Sequence, residues 1–301
     1  MTPSINPNSE IFLNNLQQIQ SRISTAERQL SSGLRVSVAS DAPDQISGIL
    51  QLRAQIAGVQ QTQQNLSTVT PQVESGGNAI QQAIQVLDSA TSLATQAAGS
   101  TLDASQRLDL VPQVQGILQQ LVSLSQTAVN GQYIFSGDLS GQPQYVLAVG
   151  GASVKQMTQP GPPAQIEDAN GVKMSIGLTA QQVFDAQDGN NDSAFAAVTG
   201  LLTALQSGNS NNVETALTNL QAASAHLNDS SSFYGAAQNN LTAAGNSASQ
   251  TVIQLQQQLS GEQDADAARA ALDLTTGTTD EQAAMASQAM LKPQSLFSYL
   301  G

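Results

Sequence analysis

The chain has one histidine, His226, so any Ser-His-Asp relay or imidazole metal site must run through it. It falls between Leu220 and Leu227 in a regular apolar pattern with no nucleophile motif beside it, which reads as a surface or interfacial helix residue and not as a base. Asp188, Asn190 and Asp192 have the alternate spacing that opens a calcium loop. Ser193 stands where that loop needs Gly and Thr199 where it needs a bidentate Glu, so a polar turn is the simpler reading. The acidic residues Glu262, Asp264, Asp266 and Asp273 could hold a cation, form a solvated helix face, or lie opposite Arg22, Arg28 and Arg35 near the other end of the chain. Tyr133-Ile134-Phe135 offers either a ligand platform or local core, and core is the commoner use of aromatics where a helix hands over to a sheet. Cysteine is absent, which removes disulfides and thiolate metal sites. Residues 137–190 hold no triad, metal set or phosphate loop. The sequence therefore predicts no enzyme, no metal and no cofactor.

The elements that must position these residues follow from composition. Among 301 residues, aromatics make up 3% and charged residues 10%, and Trp is missing. Such a chain cannot fill one large core with bulky side chains; long narrow helices with Leu, Ile, Val and Ala seams and polar Gln and Ser faces suit it. The net charge of -13 argues against nucleic acid, which requires clustered Lys and Arg. No run approaches the ~18 apolar residues of a membrane span. The opening residues, M-T-P-S-I-N-P-N-S-E, lack the basic region and apolar core of a secretory signal peptide.

Apolar residues three and four apart at Phe12, Leu16, Ile19, Ile23, Ala26 and Leu30 predict a first helix. Gly33 and the Ser-Asp-Ala-Pro step ending at Pro43 predict a loop, after which Asp41 or Asp44 can cap a second helix. In that helix a heptad frame runs through Leu52, Val59, Leu66, Val73, Ile80, Leu87 and Ala94. The companion positions, among them Gln63, Thr70, Gly77, Ile84 and Thr91, make a loose coiled-coil-like seam, which Pro71 and Gly76-Gly77 should kink or weaken. After a loop near 99–104, a further helix with Pro112 in its first turn is expected to stop at Asn130-Gly131. Short β-prone runs at 133–135, 145–149, 164–167 and 172–176 follow, with Asn170-Gly171 as a hairpin turn. Helix returns at 193–206. A long seam then alternates four and three through Val213, Leu217, Leu220, Ser224, Leu227, Ser231, Tyr234, Gln238, Leu241, Gly245, Ala248, Val252, Leu255 and Leu259. The acidic run and an apolar tail with Met285, Met290, Leu296, Phe297 and Leu300 close the chain.

The fold expected is mainly α: a long antiparallel helical bundle or coiled coil built from both chain ends, with a small β-rich inserted domain. Residues 1–44 and 262–301 form terminal helical arms, 45–131 and 210–261 a long-helix core, and 132–209 the insert. Taken alone, the first arm buries too little apolar surface to offset its ordering entropy by a clear margin. It should fold when its stripe is covered by the other arm and by neighbouring molecules. The expected assembly surface comprises Phe12, Leu16, Ile19, Ile23, Leu30, Arg28, Gly33, Arg35, Pro43, Asp264, Asp266, Met290, Leu296, Phe297 and Leu300. Met285 and Met290 suit adaptable packing or a chaperone groove.

Several motifs carry a resemblance. L-S-S-G-L-R-V at 30–36 resembles the N-terminal motif of the bacterial flagellin family, and the acidic, alanine-rich run from Glu262 to Ala267 together with the closing S-L-F-S-Y-L resembles its C-terminal block. Ser40-Asp41-Ala42-Pro43 and Asn130-Gly131-Gln132-Tyr133-Ile134-Phe135-Ser136-Gly137 resemble signatures of the branch found at the junction of hook and filament. The match departs from the family at Pro71 and at Ala42. The resemblance implies a non-enzymatic structural subunit, exported unfolded through the flagellar channel to an extracellular position. It would form a homo-oligomeric ring between hook-associated protein 1 and flagellin, with an export chaperone as a further partner and neither nucleic acid nor membrane. Its arms would line the inner tube, its long helices the middle shell and its insert the outside. A filament-forming flagellin is the alternative within the family; a secreted adhesin or hydrolase is the alternative outside it.

Overall fold

A computed structural model describes residues 7–99, 102–137, 139–186 and 192–290. In chain order they form α1 (Pro7–Ser32), α2 (Ile46–Ala98), α3 (Ala104–Leu108), α4 (Val111–Ser125), β1 (Ala128–Val129), β2 (Gln132–Tyr133), β3 (Tyr145–Leu147), β4 (Val154–Gln156), β5 (Gln165–Glu167), β6 (Lys173–Ser175), a π-helical turn (Gln181–Asp185), α5 (Ala194–Ser207), α6 (Ser210–Gln263) and α7 (Ala267–Met290). The expected mainly helical architecture with a small β-rich insert is what the chain adopts. Two compact units result, one from residues 1–57 with 252–301 and one from 58–251. The divisions fall inside α2 and α6, so each long helix contributes to both.

In the 58–251 unit, α2 and α6 run antiparallel: Gln63 Nε2 donates to Ser249 Oγ at 2.9 Å, whereas further along α2 Gly76 meets Tyr234. On α2 the buried positions are Leu66, Val73, Ile80, Leu87 and Ala94, interleaved with Gly76, Ala83, Ala90 and Ala97, and joined by Ala79. On α6 they are Val213, Leu220, Leu227, Tyr234, Leu241 and Ala248, interleaved with Ala216, Ala223, Ser230, Ala237 and Ala244. The large residues lie where the heptad frame puts them. The companion line lies one residue earlier than expected, on alanine and not on Thr70, Gly77, Ile84, Thr91 or Leu217, Ser224, Ser231, Gln238, Gly245. Small side chains at a helix contact let the axes approach, and that favours alanine over the bulkier polar neighbour. Pro71 is exposed and does not end α2, and neither do Gly76 and Gly77.

Gly76 has a specific reason to be glycine: a Cβ there would overlap the ring of Tyr234. The phenol crosses to the insert, where its Oη accepts the backbone N–H of Leu178 at 3.2 Å. Burial raises its pKa to about 12. Phe135 packs edge-on against Phe184 and Tyr234, and Phe184 stacks on Phe195. Phe135 is sealed from solvent, so of the two readings of Tyr133-Ile134-Phe135 the core reading holds for its third member, while Tyr133 and Ile134 are half-buried. Arg107, also buried, closes two helix ends, donating to the carbonyl of Ala97 through Nε at 2.9 Å and to that of Gly208 through Nη1 at 2.9 Å.

The insert contains three separate two-stranded antiparallel ribbons, β1-β2, β3-β4 and β5-β6. Asn170-Gly171 turns β5 into β6 as expected, with Asp168 Oδ1 accepting from the backbones of Asn170 and Val172. Asn130-Gly131 behaves differently from the helix terminator anticipated. Helix α4 has already ended at Ser125, and the pair, with φ of 54° and 79°, makes the tight turn between β1 and β2. Two successive residues at positive φ suit Asn-Gly in a two-residue hairpin as well as in a helix cap, and the strand pairing decides which it is.

The unit formed by the chain ends holds α1 and α7, packed along one another, with the neighbouring ends of α2 and α6.

Candidate assembly surface and its connectors

Helix α1 presents its three-four stripe to α7. Phe12, Leu16, Ile19 and Ile23 are half-buried, and Ala26 is the one fully buried residue described on this helix. On α7 the buried residues are Ala270 and Gly277. Gly277 makes room for Ile23, whose Cγ1 would lie 2.8 Å from an added Cβ. The pair is antiparallel, since Gln20 Nε2 donates to Glu281 Oε1 at 3.1 Å and Arg22 Nη2 to Asp280 Oδ2 at 3.1 Å, further along α7 than Gly277. Both partners of the Arg22–Asp280 ion pair are exposed. Such pairs contribute ~0 to 1 kcal/mol, so this one sets register more than strength.

Apolar residues face outward from the same pair. Ile11 is 59% exposed, Leu13 54% and Leu272 67%, and Leu30, Met285 and Met290 are also exposed. A groove of about 670 Å³ runs beside Phe12, Ile19, Arg22 and Ala284. Sequence spacing marks Phe12 to Ile23 for the interface and does not mark Ile11, Leu13 or Leu272. These three lie off the main stripe, and the only signal for them is an apolar residue where a solvated helix would carry a polar one. Leu296, Phe297 and Leu300 of the expected surface lie outside the described residues.

The connectors at the base of the pair are tightly organised. Gly33, at φ 70°, ends α1 by the left-handed step that glycine takes without steric cost, its N–H donating to the Gln29 carbonyl at 2.8 Å. The next residues pair with the link between α6 and α7: Leu34 bridges Asp264, Arg35 N donates to Gln263 O at 2.7 Å, and Ala265 N donates to Gly33 O at 2.9 Å. The Arg35 guanidinium donates to the Glu262 carbonyl at 2.6 Å and to Gln45 Oε1 at 3.0 Å. Between these anchors Asp41 closes the loop on itself. Its Oδ2 accepts from Ser37 N, Ser37 Oγ and Val38 N at 2.9 to 3.0 Å. Those bonds, from the Val38 backbone first, hold its carboxyl below the usual carboxylate range, with the Arg28 guanidinium 3.9 Å away adding to them. Pro43 is exposed in the turn that leads into α2.

The expected pairing of Arg22, Arg28 and Arg35 with the carboxylates of 262–273 is not what forms. Arg22 reaches Asp280, Arg28 reaches Asp41, and Arg35 takes a main-chain oxygen. Asp266 instead accepts from the N–H groups of Ala268 and Arg269 and so caps α7, while Asp264 accepts from Ser260. Open N–H groups at a helix start outcompete a distant guanidinium for a carboxylate already beside them. Likewise Asp41 turns back to Ser37 and does not cap α2.

The other candidates are placed as follows. His226 is half-buried on α6, with Nε2 2.6 Å from the Gln182 carbonyl and Nδ1 3.6 Å from Asp192. Asp188 and Asn190 lie outside the described residues; Ser193 caps α5 and Thr199 is inside that helix. Among the described residues no group of three or more His, Cys, Asp or Glu is placed to hold a metal. No described helix is long and apolar enough to cross a membrane.

Comparison with known proteins bears on this geometry. Residues 4–139 match the bacterial flagellin N-terminal helical region. Over 136 residues the chain is 32% identical to flagellin B of Helicobacter pylori, which covers 44% of this chain and 26% of that protein. Over 165 residues it is 30% identical to flagellar hook-associated protein 3 of Salmonella typhimurium, covering 54% of this chain and 50% of the other. The matched stretches thus span half or less of these relatives. Among solved structures, a flagellar hook-associated protein from Vibrio parahaemolyticus superposes with a TM-score of 0.65 at 16% identity, covering 74% of this chain and 100% of that one. At that identity the likeness is one of fold.

Proposed function

We infer that this chain is a member of the bacterial flagellin family and a structural subunit of the flagellum stationed at the junction of hook and filament, a reading supported by its match to the flagellin N-terminal helical region and by its likeness to hook-associated protein 3. Proteins of this family and fold are structural and not enzymes. One observation carries the reading: α1 and α7 seal little between them and leave Ile11, Leu13, Leu272 and Met285 facing outward. A helix pair of that kind gains most of its stability when other chains cover it. In this proposal the arms at 1–44 and 262–301 make the contacts between subunits, the long helices form the body and the insert faces outward. Phe12, Leu16, Ile19, Ile23, Leu30 and Met290 bury against neighbouring copies. Gly33, Arg28, Arg35, Pro43, Asp264 and Asp266 hold the arms at the angle that closes a ring. Hook-associated protein 1 and flagellin are the expected neighbours, an export chaperone holds the chain before assembly, and the flagellar export channel carries it out of the cell.

A filament flagellin is the second reading, favoured by the 32% identity to flagellin B. The fuller coverage of hook-associated protein 3 weighs towards the junction. A strain lacking the gene distinguishes them: hooks present, filaments absent and flagellin shed into the medium is the expected result, and normal filaments would end the junction assignment. Purified protein that grows into long filaments by itself would support the second reading.

A further inference from the structure

We propose that His226 is a proton-operated clamp that seats the π-helical turn and the start of α5 on α6. Both ring nitrogens face acceptors: Nε2 lies 2.6 Å from the Gln182 carbonyl in the turn, and Nδ1 lies 3.6 Å from a carboxylate oxygen of Asp192, just before α5. A neutral imidazole has a single N–H. The carbonyl can only accept, so Nε2 carries that proton and the Nδ1 lone pair is left facing a carboxylate. A second proton on the ring turns this repulsion into an ion pair.

The surroundings favour that second proton. The other oxygen of Asp192 is buried without a partner, and a carboxylate drawn out of water interacts with a cation more strongly than an open one does. His226 is its one ion-pair partner among the described residues. Of the other ionisable groups, Asp229 lies three residues further along α6 and lines the same cleft, and Asp185 of the turn accepts from Tyr145 and Ser193. On α2 beyond Gly76 the ionisable residue is Asp88, which is exposed. Helix α5 carries none. All of these neighbours are acidic, and no Lys or Arg is among the described residues of the cleft.

The element held is strained. The turn is π-helical and is closed by Ala186 at φ 25°, in the left-handed region that residues with a side chain rarely enter. Such backbone persists where its surroundings hold it, and the bond from His226 to Gln182 is one such hold. On the other side Ser193, beside Asp192, caps α5 by accepting the Ala196 N–H at 3.1 Å, so the clamp reaches the first turn of that helix. Proton binding favoured by the folded clamp makes its stability rise as pH falls through the range where histidine titrates, and lose that gain as pH rises through it again.

The test uses the full-length isotope-labelled chain, in which the single histidine gives an imidazole signal free of overlap. At pH ~8 the ring nitrogens should show the Nε2–H tautomer. Amide protection at Ala196, corrected for intrinsic exchange and taken relative to His226→Gln at each pH, should be about threefold to tenfold greater at pH ~5.5 than at pH ~8. Asp192→Asn should abolish that difference and keep the tautomer, and its unfolding midpoint at pH ~8 should match or exceed the parent's, because no carboxylate then faces the lone pair. If His226→Gln does not fold, comparison of the parent with Asp192→Asn carries the same test. An Nδ1–H tautomer at pH ~8, equal relative protection at the two pH values, or a full difference retained in Asp192→Asn would overturn the proposal.

Discussion

The arm pair and the 58–251 unit draw on similar residues and use them to opposite effect. On α2 and α6 the large aliphatics alternate with alanines and both lines are sealed within the chain; on α1 and α7, Ala26, Ala270 and Gly277 are the fully buried residues described, and the large aliphatics stay half-buried or exposed. The central unit has its partners built in. The terminal pair presents the same kind of seam with one side unfilled, the side that the proposed assembly would cover.

The largest expected effect is at the point where the central seam is most specific. Tyr234→Ala should cost about 3 to 5 kcal/mol in chemical denaturation, and Gly76→Ala about 1 to 3 by overpacking. Combined, the two should cost clearly less than their sum, because the alanine at 76 fills part of the space the ring leaves. Strict additivity would show that the two do not meet.

Next in size is the alkaline limit of the same unit. Tyr234 has a folded pKa of about 12 against an ordinary value of 10.0. The stability from keeping it neutral is fully present below pH 10 and is lost as pH rises through about 12, on the order of 2 to 3 kcal/mol. The chain has no Trp, so phenolate absorbance can be followed directly, and unfolding midpoints should fall over that window. In Tyr234→Phe the fall should shrink; an unchanged fall would assign it elsewhere.

The comparison of the two units is read most directly by amide exchange. Protection across α1 and α7 should be at least about a hundredfold lower than across α4 and α5 in the isolated chain, a gap of about 2.7 kcal/mol. Equal protection would mean the pair is stable by itself and needs no partner. Within the pair, Gly277→Ala should reduce protection, since Ile23 has to move. In an Ile23→Ala background the same change should raise it, by about 1 kcal/mol of helix propensity.

The smallest effect is acid-dependent. The carboxyl of Asp41 is held below its ordinary range, so what it contributes is present above the unfolded carboxylate pKa and is lost as pH falls through the folded one. The Ser37 and Val38 amide resonances should titrate together below pH ~4, and Asp41→Asn should abolish that step.

Much of this arrangement is legible in the sequence because large aliphatics announce a buried face. Spacing alone places Leu66, Val73, Ile80 and Leu87. Alanine does not announce itself: it suits any face of a helix, so spacing points to Thr70, Ile84 and Leu217 for the second seam, whereas Ala83, Ala90 and Ala216 carry it. The Asn130-Gly131 step could end a helix or turn a hairpin, and strand pairing across residues 128–133 settles the matter only in three dimensions. The ion pairs are not legible for a similar reason. Nothing local indicates that Arg22 lies opposite Asp280 and not Asp273, because antiparallel register between distant helices is set by where the glycine at 277 admits Ile23. Strand β4 carries no sequence signal because its central Lys155 breaks the apolar run on which strand recognition depends.

The Gly76–Tyr234 contact has a consequence for alignment. A seam made of repeated alanines looks nearly the same after one helix slides past the other by a heptad, so by itself it leaves several positions of similar energy. One oversized ring seated in one missing side chain removes that ambiguity, much as an index pin selects a single notch on an otherwise uniform track. Because the pin also reaches the backbone at Leu178, choosing the notch sets the helix register and the seating of the insert in a single event.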